Sequence, residues 1–178
     1  MPIPSGYTSG QVVQAVPTGV QSALVRIGGG ALSSTSTTFA SVFSATYRDY
    51  LIIADGVTTA TGTTIRMTIG SAVAAYSYGF NRVTFAGAVS GSGASAQTDG
   101  WVFLDSPSTG GSGAQMIMYS PFLAINTSAT YQAASNAGTP VMMSGGAILA
   151  DTTSHTGFTL ASGSTMAGNI SIYGYTLS

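Results

Sequence analysis

The chain has 178 residues, with four Arg, five Asp, one His and no Lys, Glu or Cys. Charged residues make up 5% of it, against about 25% in an ordinary soluble domain, yet 44% is apolar, too much for an intrinsically disordered chain. This inventory excludes P-loop phosphate clamps, Schiff-base lysines, thiolate nucleophiles, disulfides and two-His metal motifs, and Arg26, Arg48, Arg66 and Arg82 are too scattered to form a basic patch for nucleic acid.

Residues 1–30 differ in texture from the rest. Pro2, Pro4 and Pro17 forbid a continuous helix, and Gly6, Gly10 and Gly19 interrupt any strand. Between these breaks stand Ile3, Tyr7, Val12, Val13 and Val16, followed by Ala23–Ile27 and then Gly28-Gly29-Gly30, a hinge by composition. The segment is expected to be an extended arm seated on a neighbouring chain, with residues 31–178 forming one domain. No basic-then-apolar leader opens the chain, and no apolar run approaches the ~18 residues of a membrane helix. An outer-membrane barrel would also need such a leader, so no membrane partner is expected.

From Ser33 onward, short β-type runs alternate with turn residues. Thr38–Phe43 and Tyr50–Ala54 come first, then Thr64–Ile69, with Ile65, Met67 and Ile69 on one face and Thr64, Arg66 and Thr68 on the other. Tyr76–Tyr78 and Arg82–Ala86 read as two further strands. The Gly/Ser-rich stretches Ser90–Gln97 and Ser106–Gly113 read as flexible loops flanking Trp101–Leu104. Gln115–Ser120, Tyr131–Ala134, Val141–Met143 and Phe158–Ala161 follow. The last strand sets Ile170 and Ile172 against Ser171, Tyr173 and Tyr175. No stretch sustains a 3.6-residue period. About ten short strands with frequent turn signals predict an all-β fold, a β-sandwich of jelly-roll type with an extended N-terminal arm.

Few residues are left for catalysis. His155, in Asp151-Thr-Thr-Ser-His155, is either a general base oriented by Asp151 or an exposed loop histidine. The second is expected, because no nucleophile motif accompanies it. The Asp residues sit beside turn formers, although Asp99 with Asp105 could make the carboxylate pair of a jelly-roll carbohydrate-active enzyme. Trp101 would stack on a sugar or anchor an interface if exposed, and would be a core residue if buried; burial is expected. Arg48 and Asp49 point to opposite faces of an extended chain, so Arg48 is expected to make a polar contact across strands or to another chain. No cofactor and no metal are expected, and the chain reads as non-enzymatic. A surface so poor in charge suits a protein covered by partners.

Two stretches resemble the virion structural proteins of tailed bacteriophages. Ser33–Phe39 leads into Phe43-Ser-Ala-Thr-Tyr47-Arg48-Asp49-Tyr50-Leu51-Ile52-Ile53, and the chain closes on Gly168-Asn-Ile-Ser-Ile-Tyr173-Gly174-Tyr-Thr-Leu-Ser. The resemblance covers about a third of the chain; Gly70-Ser71-Ala72 stands where that family often has an Asn/Asp-rich segment. It implies a compact β-sandwich module of the particle, most readily a capsid decoration or cement protein on the head surface. Such a subunit would form a homo-oligomer, a trimer by preference, and bind the major capsid protein or other virion proteins by arm exchange. The alternative is a tail-fibre or tail-tip module that binds a host-surface glycan through Trp101.

Overall fold

The computed structural model describes residues 24–108, 110–137 and 139–176. In chain order the strands are β1 (Leu24–Leu32), β2 (Ser36–Phe39), β3 (Tyr47–Thr59), β4 (Ile65–Ile69), β5 (Tyr76–Thr84) and β6 (Val89–Gln97). They continue with β7 (Trp101–Leu104), β8 (Ser112–Tyr119), β9 (Thr127–Ala137), β10 (Thr139–Leu149), β11 (Phe158–Ser162) and β12 (Met166–Thr176). One antiparallel sheet has eight strands in the order β1-β12-β3-β8-β9-β10-β5-β6; the other has four, β2-β11-β4-β7.

This order is a jelly roll with two insertions. Strands β1·β12, β2·β11, β3·β8 and β4·β7 pair as a doubled-over ribbon wrapped into two sheets. The hairpin β5–β6 enters between β4 and β7, and β9–β10 enters between β8 and β11. Together the insertions widen the larger sheet by four strands, β9-β10-β5-β6.

The alternation seen in the sequence places the core between the sheets. Ile65, Met67 and Ile69 of β4 are fully buried, as are Tyr50 and Ile52 of β3, Met116 and Met118 of β8, and Ile172 of β12. Strand β7 differs, since all four residues of Trp-Val-Phe-Leu are buried. Its explanation lies in the insertions: β9, β10 and β5 fold over β7 and cover the face that an edge strand would otherwise expose. Three contacts tie it there. Trp101 Nε1 donates to the Ile148 carbonyl at 3.2 Å, Ser135 Oγ donates to the Asp105 carbonyl at 2.7 Å, and Arg82 of β5 pairs with Asp105 at 3.6 Å.

Two buried tyrosines fasten the loops. Tyr50 Oη accepts the Ser44 amide at 2.8 Å and lies within donating distance of the Ser44 and Tyr47 carbonyls at 3.0 and 3.1 Å. Tyr76 Oη accepts the Ile69 amide at 2.8 Å and donates to the Ala72 carbonyl at 3.0 Å. Burial raises both phenol pKa values, so each stays a neutral donor and acceptor.

Three sequence expectations change. Gly28-Gly29-Gly30 is no hinge: it lies within β1, paired with Ile172, Ser171 and Ile170 of β12. Gly29 has φ 135°, and a Cβ there would run into the Ile170 carbonyl oxygen; glycine lets the edge strand lie this close to β12 just past the register shift between Arg26 and Gly28. The fold therefore begins by Leu24 rather than at residue 31. Ser90–Gln97 is no loop but the outermost strand β6, held by β5 through pairs such as Val83↔Val89 and Asn81↔Gly91. Tyr76–Tyr78 and Arg82–Ala86 join into one strand, with the turn falling after Thr84.

Candidate functional site

The arm residues Ile3, Tyr7, Val12, Val13 and Val16 lie outside the described residues. Of the other expected site residues, Trp101 is fully buried. Its indole meets the Tyr76 ring edge-on at 5.8 Å, so it offers no surface to a sugar or a partner. Arg48 makes the expected polar contact across strands, and Asp49 joins it instead of pointing away. Both reach Ser120, the residue after β8, with φ 57°: Arg48 Nε lies 3.4 Å from its hydroxyl, and its amide donates to Asp49 at 3.2 Å. The two charges are 4.0 Å apart, with the Arg48 side chain mostly exposed.

His155 is not the exposed loop residue expected; its side chain is 2% exposed. Its backbone amide donates to the Pro121 carbonyl at 3.0 Å, and Ser154 Oγ donates to the Phe122 carbonyl, which pins this loop against the β8–β9 connection. The imidazole lies against Gly70, where any side chain would displace it. Nε2 is 3.8 Å from Asp151 Oδ2 and has no hydrogen-bond partner among the described residues. Burial lowers the His155 pKa, opposed by the Asp151 carboxylate. The Asp151 pKa is itself lowered, chiefly by hydrogen bonds from Thr153. No serine, threonine or tyrosine hydroxyl hydrogen-bonds to this imidazole among the described residues.

Asp99 and Asp105 are each held by an arginine of their own. Arg66 Nε lies 3.1 Å from Asp99, and Arg82 lies 3.6 Å from Asp105, which also accepts from Thr64 Oγ1 at 3.1 Å. No group of three His or Asp side chains among the described residues could hold a metal ion.

The feature that stands out is the outer face of the eight-stranded sheet. Register aligns Ser171, Ile53, Gln115, Gln132, Ser144, Asn81 and Gly91 in one row across seven strands. Gln115 Nε2 donates to Gln132 Oε1 at 3.3 Å. Beside this row runs a second, Ala134, Met142, Val83 and Val89, also in direct register. Met142 is 56% exposed and Val89 71%, and Phe85 at the β5–β6 turn is 69% exposed. A hollow of about 630 Å³ lies here, lined by Ile53, Gln115, Gln132, Ala134, Met142 and Asn81 among others. A second hollow shares Gln115, Gln132 and Ser144 with it and reaches Leu51, Ile117 and Tyr175. Among the described residues, no charged side chain lines either one.

The cause lies in the sequence. Residues 83–98 and 106–150 contain no charged residue and no His, and they supply β6, β8, β9 and β10 entire. The large sheet ends on β6, whose nine residues include neither a charge nor a proline. Soluble proteins commonly guard such edges with Lys, Pro or a covering element. Sequence reading missed Gln115, Gln132, Asn81, Met142 and Val89 because only the pairing register brings them together; the two charge-free stretches were the available signal. The chain matches no protein-family model and no curated protein.

Proposed function

We propose that this chain is a non-enzymatic structural subunit of a tailed-bacteriophage particle, a capsid decoration or cement protein of the head surface. The observation that carries the reading is the uncharged part of the large sheet's outer face, from β8 to β6, with Met142, Val89 and Phe85 exposed beside the edge of β6, which no described strand covers. A contiguous exposed apolar patch marks an interaction surface. An open edge accepts a further strand through backbone hydrogen bonds, which need no charge. The partners are further copies of the chain, in a trimer, and the major capsid protein. Residues 1–23 act as the exchanged arm, and the exposed Arg48 guanidinium is the polar contact at the subunit boundary.

A glycan-binding fibre tip needs an exposed aromatic platform, which the buried Trp101 does not provide. The test is co-sedimentation of the full chain with purified heads lacking it, followed by a particle map. Saturable binding with density on the head shell is expected. Binding confined to tails, or none to either structure, would overturn the reading.

A further inference from the structure

We infer that the hollow on the outer face of the large sheet is the seat for residues 1–23 of a neighbouring copy, which enters across the β6 edge. The two surfaces match chemically. Residues 1–23 contain no charged side chain and carry Gln11, Val12, Val13, Gln14 and Val16 in one short stretch. The hollow offers an uncharged apolar floor from Ile53, Ala134 and Met142, with amides from Gln115, Gln132 and Asn81. Apolar side chains can bury on that floor while the amides on both sides satisfy one another and the arm's backbone.

Geometry assigns the arm to a neighbour. The segment joins the fold at Leu24 of β1, one edge of the eight-stranded sheet, whereas exposed Val83, Phe85, Val89 and Met142 gather near the other edge. Seven inter-strand spacings of ~4.8 Å separate those edges by ~34 Å. A chain arriving over β6 meets Val89, Val83 and Met142 at once; the molecule's own arm, coming from β1, first meets Tyr173 and Tyr175 of β12 and reaches the hollow at its Ile53 side. Reach is ample, since 23 extended residues span up to ~75 Å, and crossing from β6 to β8 needs only about six residues. Donor and acceptor lie at opposite edges of the same sheet, so the contact is heterologous and closes into a ring when the rotation permits. The inference takes from the proposed function only that copies sit side by side.

The absence of cysteine from the chain makes a direct test possible on the full-length protein. One preparation carries Val13→Cys and a second carries Ser144→Cys, on the exposed side of β10. They are mixed, allowed to exchange, and treated with a short bis-maleimide. A control replaces Ser144→Cys with Thr38→Cys, exposed on β2 of the other sheet. A docked segment works at an effective concentration near ~1 mM, so covalent heterodimer should exceed the control by roughly 10-fold or more. Equal yields from Ser144→Cys and Thr38→Cys, or no heterodimer at all, would overturn the inference. So would closure of a Val13→Cys/Ser144→Cys double variant within single chains at high dilution, which would put the arm on its own sheet. Binding of the same preparations to heads is scored separately: cross-linking without head binding sinks the functional reading alone, and head binding without cross-linking sinks this inference alone.

Discussion

Tyr76 and Trp101 meet edge to face, with 5.8 Å between ring centres, where the inserted strands fold over the jelly roll. Tyr76 opens the β5–β6 insertion and Trp101 opens β7, so this contact joins the extension to the body. Both rings are fully buried. Trp101→Ala should therefore cost about 3–5 kcal/mol of stability, a fall of roughly 10 °C in Tm for a chain this long. Thermal unfolding followed by circular dichroism checks it. A fall below about 1 kcal/mol, the size expected of a surface substitution, would mean that the indole is not a core residue.

Tyr131 and Tyr50 make a contrasting pair. The Tyr131 hydroxyl is buried with no hydrogen-bond partner among the described residues, and burial raises its pKa strongly. The Tyr50 hydroxyl serves one amide and two carbonyls. Removing an unsatisfied buried hydroxyl is neutral or stabilising, whereas removing a bonded one strands its partners. Tyr131→Phe should leave stability unchanged or raise it by up to about 1 kcal/mol, and Tyr50→Phe should lower it by about 1–3 kcal/mol. Urea titration of the two variants would reject this account if the signs were reversed.

His155 predicts a pH dependence whose sign can be worked out. Burial holds its folded pKa below the ordinary value, which is about 6.5 in an unfolded chain. The unfolded chain thus takes up the proton first, and stability is fully present above pH ~6.5 and lost as pH falls through the lower, folded pKa. Asp151, whose pKa is also lowered, adds a loss in the same direction but further into acid. Between pH 7 and pH 5 the native chain should lose more Tm than His155→Gln does. Parallel Tm–pH curves over that window would refute the assignment.

Gly29 tests whether β1 belongs to the domain. Its φ of 135° and the adjacent Ile170 carbonyl leave no room for a Cβ. Gly29→Ala should cost roughly 1–3 kcal/mol and raise amide exchange across β1 and the facing residues of β12. If those amides kept their protection, Gly29 would be acting as linker after all.

Val89→Asp and Met142→Asp separate assembly from folding. Both side chains are exposed, so stability should move by no more than about 0.5 kcal/mol. A buried, unpaired carboxylate at an interface is costly, so self-association measured by sedimentation velocity should weaken by at least ~10-fold, a change of 1.4 kcal/mol. Unchanged association in both variants would remove this face from the assembly.

The sheets were legible wherever one strand face is apolar and the other polar. Ile65, Met67 and Ile69 announced β4, and Ile170 and Ile172 announced β12, because a half-buried strand has to alternate. The jelly roll followed from the number and spacing of such runs. Where no apolar side chain marks the inward face, the pattern goes silent. Val-Ser-Gly-Ser-Gly-Ala-Ser-Ala-Gln of β6 looks like a loop, since its pairing rests on backbone bonds to β5. Gly28-Gly29-Gly30 misleads for the same reason. The burial of His155 was invisible because it depends on Gly70 and Pro121, residues distant along the chain. The candidate surface was half legible: the charge-free stretches could be read directly, but the rows made by Gln115, Gln132, Met142 and Val83 exist only once the register is known.

The charge-free β8–β6 part of the outer face has a consequence for how fast and under what conditions copies meet. With no opposing fields to steer the encounter, association should run at an unassisted ~10⁵–10⁶ M⁻¹s⁻¹ and depend little on ionic strength. A contact built on apolar burial and backbone bonds tightens in strongly excluded salts such as sulfate rather than dissolving in them. The particle surface this chain is proposed to reinforce would then hold across wide swings in the salinity of its surroundings, where a seam of ion pairs would loosen.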